Sequence, residues 1–107
     1  MAENEYGAPI GRNGYVPSIL QHGEFCFRCG ATGGKLDRNE VFGGVDRDKS
    51  KRYGLWVYMC HEPCHMSVFH KDADYRRRLR AYAQGIAQNE YGWSTETFIR
   101  MFGKNYR

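Results

Sequence analysis

The sequence predicts a small α+β domain that folds around a metal ion. Three observations indicate this class. All four cysteines fall in two close pairs, in "CFRCG" at 26–30 and "CHEPCH" at 60–65. Two short runs, 36–42 and 55–60, carry the β-branched and aromatic residues of strands. Apolar residues at helical spacing follow over 72–92.

The length and the net charge of the chain indicate how many domains it forms and what kind of partner it can bind. A chain of 107 residues predicts one domain, whose core is small enough to gain from a metal ion. We expect residues 1–14, rich in Gly, Asn and charge, to form a flexible N-terminal tail, and 15–107 to form the folded unit. The net charge of +4, carried mostly by Arg, permits a nucleic-acid partner.

The N-terminal sequence has no basic region followed by an apolar stretch, as a signal peptide would. No apolar run reaches membrane-spanning length, so we expect a cytoplasmic protein with no membrane partner. Thiols stay reduced in the cytosol, which favours metal ligation over disulfides.

The first half of the chain contains the predicted strands. "FCFRCGATGGK" predicts a tight glycine turn carrying the first cysteine pair. The strand at 36–42 ends at Gly43-Gly44 and is followed by the charged stretch "VDRDKSKRYG", which we expect to be a loop. The second strand, 55–60, runs directly into the second cysteine pair.

The second half is predicted to be helical. Pro63 favours a helix that begins near Glu62, with Cys64 and His65 in its first turn. The helix over 72–92 is expected to end at Gly92. Ser94 is a good N-cap for a last helix that closes at Gly103.

The cysteine pattern predicts a structural zinc site. A CxxC turn and a helix start can each supply two thiolates to a tetrahedral ion, and a helix N-terminus favours the thiolate form. The four ligands would be Cys26, Cys29, Cys60 and Cys64. The alternatives are unligated buried thiols, or two disulfides if the protein is secreted. A knuckle, a hairpin and a helix joined in this order describe a treble clef.

The histidines predict a second site. Neighbours on a helix differ by about 100°, so His65 would point away from the zinc and toward the hairpin, where it can serve a second metal. On a continuous helix His70 would not share the face of His65, and the two would meet only if the helix breaks between them. His22 and His61 are predicted to be surface residues.

Four segments together resemble a known family: "CFRCG", "NEVFGGVDRDKSKRYGLWVYMC", "CH" and "FGKNY". In this order, from Val16 to Arg107, they are similar to the small HNH-like (ββα-metal) endonucleases of phages and prophages. The resemblance implies a treble-clef zinc knuckle with an HNH-like motif followed by two C-terminal helices. It also implies metal-dependent cleavage of DNA in phage DNA processing or recombination, inside a bacterial host, with the metal stabilising the leaving oxygen.

Carried over to this chain, the resemblance leaves two interpretations open. His65 stands where the family has a helix histidine, and His70 where related sequences have another. The strand position that should hold a histidine is Asn39, followed by Glu40. In one interpretation an oxygen-rich site binds Mg or Mn, with Glu40 as general base or ligand; its members would be Asp37, Asn39, Glu40, Asp46, His65 and His70. In the other, the site has decayed or Asn39 is an engineered change, and the domain is an inactive module that binds DNA or a host protein.

Two basic groups are candidates for contact with the DNA backbone. The first group lies in the charged stretch between the strands and comprises Arg47, Lys49, Lys51 and Arg52. The second lies on the long helix and comprises Arg76, Arg77, Arg78 and Arg80. For the helix, a face that is simply solvated is equally expected. The aromatic residues Tyr53, Trp56 and Tyr58 can stack on bases, although packing in the core is expected for at least one face of their strand. The oligomeric state does not follow from the sequence.

Overall fold

The computed structural model describes residues 2–107 and has an α+β fold with a two-stranded sheet. Its helices and strands, in chain order, are β1 (Leu36–Glu40), a 3-10 turn (Gly44–Asp46), α1 (Arg47–Arg52), β2 (Trp56–Cys60), a wide helical segment (His61–Phe69), α2 (Ala73–Tyr91) and α3 (Thr95–Phe102). The predicted strands and helices are thus present, and both strands are shorter than predicted.

The charged stretch between the strands differs from the predicted loop because it contains α1. Six residues make a marginal helix in isolation, so tertiary contacts must hold it. The Ser50 hydroxyl, fully buried, donates to the carbonyl of Phe42 at 2.7 Å and accepts from its N–H at 3.0 Å. This pair of hydrogen bonds fixes α1 beside the end of β1.

The strands form an antiparallel hairpin whose register sets the faces of the sheet. Asp37 lies opposite Met59, and Asn39 opposite Val57. Because side chains alternate along a strand, Asp37 and Asn39 share the face of the buried Val57 and Met59. Arg38 points to the other face.

The core lies between the end of the hairpin, α2 and α3. Phe42 is buried there, with its ring centroid 5.6 Å from that of Phe98 and 4.9 Å from that of Phe102. Leu79 and Ala83 of α2 cover the same cluster. Burial of these apolar side chains holds the long helix against the strands.

The predicted helix ends are confirmed. α2 begins after Asp72, whose side chain accepts a hydrogen bond from the Tyr75 N–H at 3.0 Å, and ends at Gly92 with a left-handed φ of 70°. Ser94 accepts from the Thr97 N–H at 3.0 Å and caps α3. These three caps follow the expected preferences of Asp, Gly and Ser.

The N-terminal segment packs more extensively than the predicted flexible tail implies. Asn4 is 4% exposed, and its side-chain amide donates to the carbonyl of Arg52 at 3.0 Å. The Tyr6 hydroxyl accepts from the Trp93 indole N–H at 2.6 Å. These contacts tie the segment to α1 and to the end of α2. Among the described residues, no helix is both long enough and apolar enough to cross a membrane.

Candidate metal centres and an arginine-lined cleft

The four cysteines come together as the sequence predicts. Cys26 and Cys29 lie on the glycine turn, where the Cys26 Sγ accepts from the Cys29 N–H at 3.5 Å. Cys60 ends β2, and Cys64 lies in the wide helical segment. All four sulfurs lie within 4.8 Å of one another.

This spacing fits a metal ion such as zinc. A tetrahedron with Zn–S bonds of 2.3 Å separates its sulfurs by about 3.8 Å. The Sγ atoms of Cys29 and Cys60 are 3.9 Å apart. The four sulfurs can therefore hold one ion with little movement.

Two thiols of the cluster differ in how readily they ionise. Burial raises the pKa of Cys26, but N–H groups of Cys29, Cys60 and Arg28 outweigh it and lower that pKa to about 6. Burial raises the pKa of Cys64 to about 12, although the Arg28 guanidinium opposes this from 3.6 Å. One thiol of the cluster thus resists ionisation until a cation compensates its charge.

His65 turns away from the sulfurs and toward β1, as helical geometry predicts. Its Nδ1 lies 2.7 Å from Oδ2 of Asp37. A carboxylate can only accept, so Nδ1 carries a proton, and Nε2 presents a lone pair whenever the ring is neutral. Burial raises the pKa of Asp37, but the hydrogen bonds from His65 and His61 outweigh it and lower that pKa, which keeps the carboxylate ionised.

His70 lies against His65, contrary to the expectation for a continuous helix. Their Nε2 atoms are 3.1 Å apart. The segment is wound more widely than an α-helix, and the His70 N–H donates to the carbonyl of His65, five residues earlier, at 3.3 Å. Such a turn places residues i and i+5 on one face and is frequent at functional sites.

The lone pair of His70 is available to a ligand. Burial, followed by the positive charges of His65, Arg76 and Arg80, lowers the pKa of His70 below its ordinary value. The ring is therefore neutral near neutral pH. Two ring nitrogens at 3.1 Å share either one proton or one cation, and bonds of about 2.1 Å to both are compatible with this spacing.

His61 was expected to be a surface residue, and it is exposed, but it also belongs to this network. Its Nδ1 lies 2.7 Å from the same Asp37 oxygen. Asp37, His61 and His65 thus form a second group of donor atoms within 4.8 Å that could hold a cation. The strand register explains this contact. Met59 lies opposite Asp37, and His61 follows Met59 by two residues, so the side chains of His61 and Asp37 are diagonal neighbours on one face.

His65 and His70 open onto a cleft of about 580 Å³. Its walls come from β1, the glycine turn after it, α1 and α2. Its cations are Arg38, Arg47, Arg76 and Arg80. Arg80 donates from Nε to the carbonyl of Val41 at 2.8 Å, and Arg76 donates to the carbonyls of Phe69 and His70 at 2.9 and 3.0 Å. These hydrogen bonds fix two guanidinium groups beside the histidines.

The two strand residues at the cleft are both engaged. Asn39 is 2% exposed, and its amide donates to the Met59 sulfur at 3.5 Å. Glu40 accepts from Arg47 Nε at 2.6 Å on one oxygen and from the Tyr15 hydroxyl at 2.7 Å on the other. Neither side chain lies free to take a proton from a water molecule in this arrangement.

Asp46 pairs with a cation and does not belong to the donor group formed by Asp37, His61 and His65. Its carboxylate lies 3.4 Å from Nζ of Lys49, and Lys49 also donates to the carbonyl of Met101. The predicted oxygen-rich set is therefore divided, since Glu40 and Asp46 pair with cations while Asp37 orients His65.

The candidate DNA-binding residues are divided as well. Arg47, Arg76 and Arg80 line the cleft. Arg52 instead pairs with Glu5 at 2.9 Å, Lys51 lies over the ring of Tyr15, and Arg77 and Arg78 pair with Asp74 at 3.0 Å each. The sequence could not predict this division because it depends on α1 and on the docked N-terminal segment.

No protein-family model matches the sequence, and neither a curated protein nor a solved structure matches it.

Proposed function

We propose that this chain is a metal-dependent DNA endonuclease of the HNH-like kind, with a treble-clef zinc knuckle formed by its four cysteines. One observation carries the proposal: the two Nε2 atoms of His65 and His70, 3.1 Å apart, open onto a cleft lined by arginines. A carboxylate behind His65 completes the arrangement found around metal-binding histidines.

The donors favour a particular class of metal. Imidazoles suit transition metals such as Zn, Cu, Fe and Ni best; Mn lies at the weak end of that series, and Mg prefers oxygen ligands. Of the Mg and Mn predicted from the sequence, we therefore favour Mn. A cation held by these nitrogens would stabilise the oxygen that leaves phosphorus.

The protein's own residues would position the substrate. Arg76 and Arg80 are held by backbone carbonyls, so their remaining N–H groups can grip a phosphodiester in a fixed geometry. Asp37 would hold the His65 ring in the tautomer that presents Nε2.

The inactive module is retained as the second candidate because of Asn39 and Glu40. A buried amide cannot act as a base, and the Glu40 carboxylate is held by Arg47 and Tyr15. In that case the cleft would bind DNA, or a host protein, without hydrolysis.

Metal binding and plasmid nicking test the proposal. Titration with Mn²⁺ should show a site that His70→Ala abolishes and His61→Ala retains, because His70 lines the cleft and His61 does not. Nicking of supercoiled plasmid should follow the same pattern. The reverse pattern would move the metal to the Asp37–His61–His65 group, and DNA binding without nicking would favour the inactive module.

A further inference from the structure

The face of the hairpin opposite Asp37 and Asn39 carries a cluster of aromatic rings and one arginine. We call it the platform and define it as Tyr15, Arg38, Trp56 and Tyr58. The Arg38 guanidinium carbon lies 5.4, 5.8 and 5.9 Å from the ring centroids of Tyr15, Trp56 and Tyr58. One exposed cation therefore lies over three aromatic rings.

The rings of the platform are held in place before any ligand arrives. Trp56 is 6% exposed, and its indole N–H donates to the carbonyl of Val16 at 2.7 Å. The rings of Tyr15 and Tyr58 stand edge-on to it, with centroids 5.4 and 5.1 Å away. Trp56 therefore supports the two half-buried tyrosines from beneath, and side chains held in place in this way lose little conformational entropy when they bind.

The platform is continuous with the cleft. Tyr15 and Arg38 line both the cleft and a shallow depression of about 490 Å³ on the platform side. The Tyr15 hydroxyl donates to Glu40, which also pairs with Arg47 at the cleft. A strand of nucleic acid can thus pass from the histidines to the platform along an unbroken surface.

The charges along this path favour a polyanion. The carboxylate of Glu40 is compensated by Arg47. Arg38 is exposed, and Nζ of Lys51 lies 5.0 Å from the Tyr15 ring, at the start of the platform. Glu24 lines the depression on the platform side, where it accepts from the Tyr58 hydroxyl at 3.4 Å, and it does not line the cleft. Phosphates are attracted to the part of the path that adjoins the cleft.

We infer that the platform binds unpaired bases of single-stranded DNA that lies beside the cleft. Guanidinium planes and aromatic rings stack on the faces of bases, and those faces are accessible when the bases are not stacked within a duplex. The inference rests on the proposed function for the choice of DNA, and it adds the substrate class: DNA with a single-stranded stretch next to the contacted phosphates.

Binding measured without divalent metal tests this inference separately from nicking. The probes are a fluorescein-labelled oligothymidine of about 12 nucleotides and a duplex of the same length. Fluorescence anisotropy should show that Arg38→Ala weakens binding of the oligothymidine about tenfold and binding of the duplex less than about twofold. Tyr58→Ala should have the same selective effect.

Arg100→Ala is the matched control, since it removes the same charge from an exposed arginine of α3 that lines neither the cleft nor the depression beside the platform. It should change both affinities less than about twofold. Arg38→Lys keeps the charge and loses the guanidinium plane, so it should still weaken oligothymidine binding several-fold. If Arg38→Lys binds as tightly as the wild type, position 38 contributes only its positive charge and no stacking, and the inference is overturned.

Equal losses on the two probes, or no measurable binding of oligothymidine, would also overturn it. Circular dichroism of each variant verifies that the fold is intact. Since no metal is present, absent nicking activity would count against the proposed endonuclease and leave this result unaffected.

Discussion

Oδ2 of Asp37 accepts hydrogen bonds from Nδ1 of both His65 and His61, each at 2.7 Å. One carboxylate on β1 thus holds two rings of the wide helical segment, the first of which directly follows β2. The link to His65 settles which nitrogen of that ring faces the cleft. The Asp37 side chain is 15% exposed, so water competes only weakly for these hydrogen bonds.

Asp37 is therefore expected to control metal affinity through His65. Asp37→Ala should weaken Mn²⁺ binding about 10- to 100-fold, as loss of such partners does in other metal sites. Calorimetric titration measures this effect. Asp48→Ala, which removes an exposed carboxylate from α1, should leave the affinity unchanged. Equal affinities for the two variants would show that Asp37 does not position the ligand.

The four sulfurs are expected to hold the fold together through their ion. Structural zinc contributes roughly 10–16 kcal/mol in small zinc peptides, as much as the whole stability of a typical domain. Removal of the metal by a strong chelator should therefore abolish the near-UV circular dichroism of the aromatic core, and added zinc should restore it.

Cys64→Ser should reproduce the effect of the chelator, whereas Met66→Ala, an exposed neighbour on the same segment, should behave like the wild type. A metal-free protein that melts at the same temperature as the metal-bound form would show that the cysteines are ordinary core residues.

The parts of the site that were predictable from sequence depend on local geometry. The spacing of Cys26 and Cys29 and the direction of His65 relative to Cys64 both follow from turns of a few residues. The position of His70 did not follow, because the wide turn replaces the α-helical spacing that the prediction assumed. The sequence does not show that the backbone widens here, so the shared face of His65 and His70 became known only from the structure.

Other contacts depend on residues distant in sequence. Glu40 was a candidate base, and it is held by Tyr15, 25 residues earlier. Arg52 was a candidate for DNA contact, and it pairs with Glu5 because the N-terminal segment docks on α1. Such pairs are fixed by tertiary packing, which no local pattern in one sequence reports.

Tyr53, which is buried, and Tyr91, which is half-buried, predict a loss of stability at alkaline pH. Burial, followed by the hydrogen bond to Glu5, raises the pKa of Tyr53 to about 12, and burial raises that of Tyr91 to about 12, from an ordinary value of 10.0. A raised pKa in the folded state means that the neutral form stabilises the fold. This contribution is complete below pH 10 and is lost as the pH rises toward about 12.

Denaturant titrations over this pH range should show the free energy of unfolding falling above pH 10. In Tyr53→Phe the fall should be shallower, because one of the two groups no longer titrates. Tyr82→Phe serves as the control, since Tyr82 is 49% exposed, and its profile should match the wild type. A stability that stays constant up to about pH 12 would contradict the burial of these hydroxyls.

Asn39 provides the most direct test of the resemblance to HNH-like endonucleases. It is buried on the face of β1 that also carries Asp37, beside Met59. Asn39→His places an imidazole where the resemblance expects one. Positioned general bases contribute about 10²- to 10⁴-fold to a rate, so nicking in the presence of Mn²⁺ should rise by at least about 100-fold.

The larger ring should also cost about 1–3 kcal/mol of stability, because the site is closely packed. Asn89→His, on the exposed part of α2, controls for an added histidine. The double variant Asn39→His, His70→Ala should lose the gain, because the new base acts only on a substrate held at the metal. If Asn39→His folds and binds Mn²⁺ but does not cleave faster, position 39 is not the missing base, and the chain is better described as a DNA-binding module.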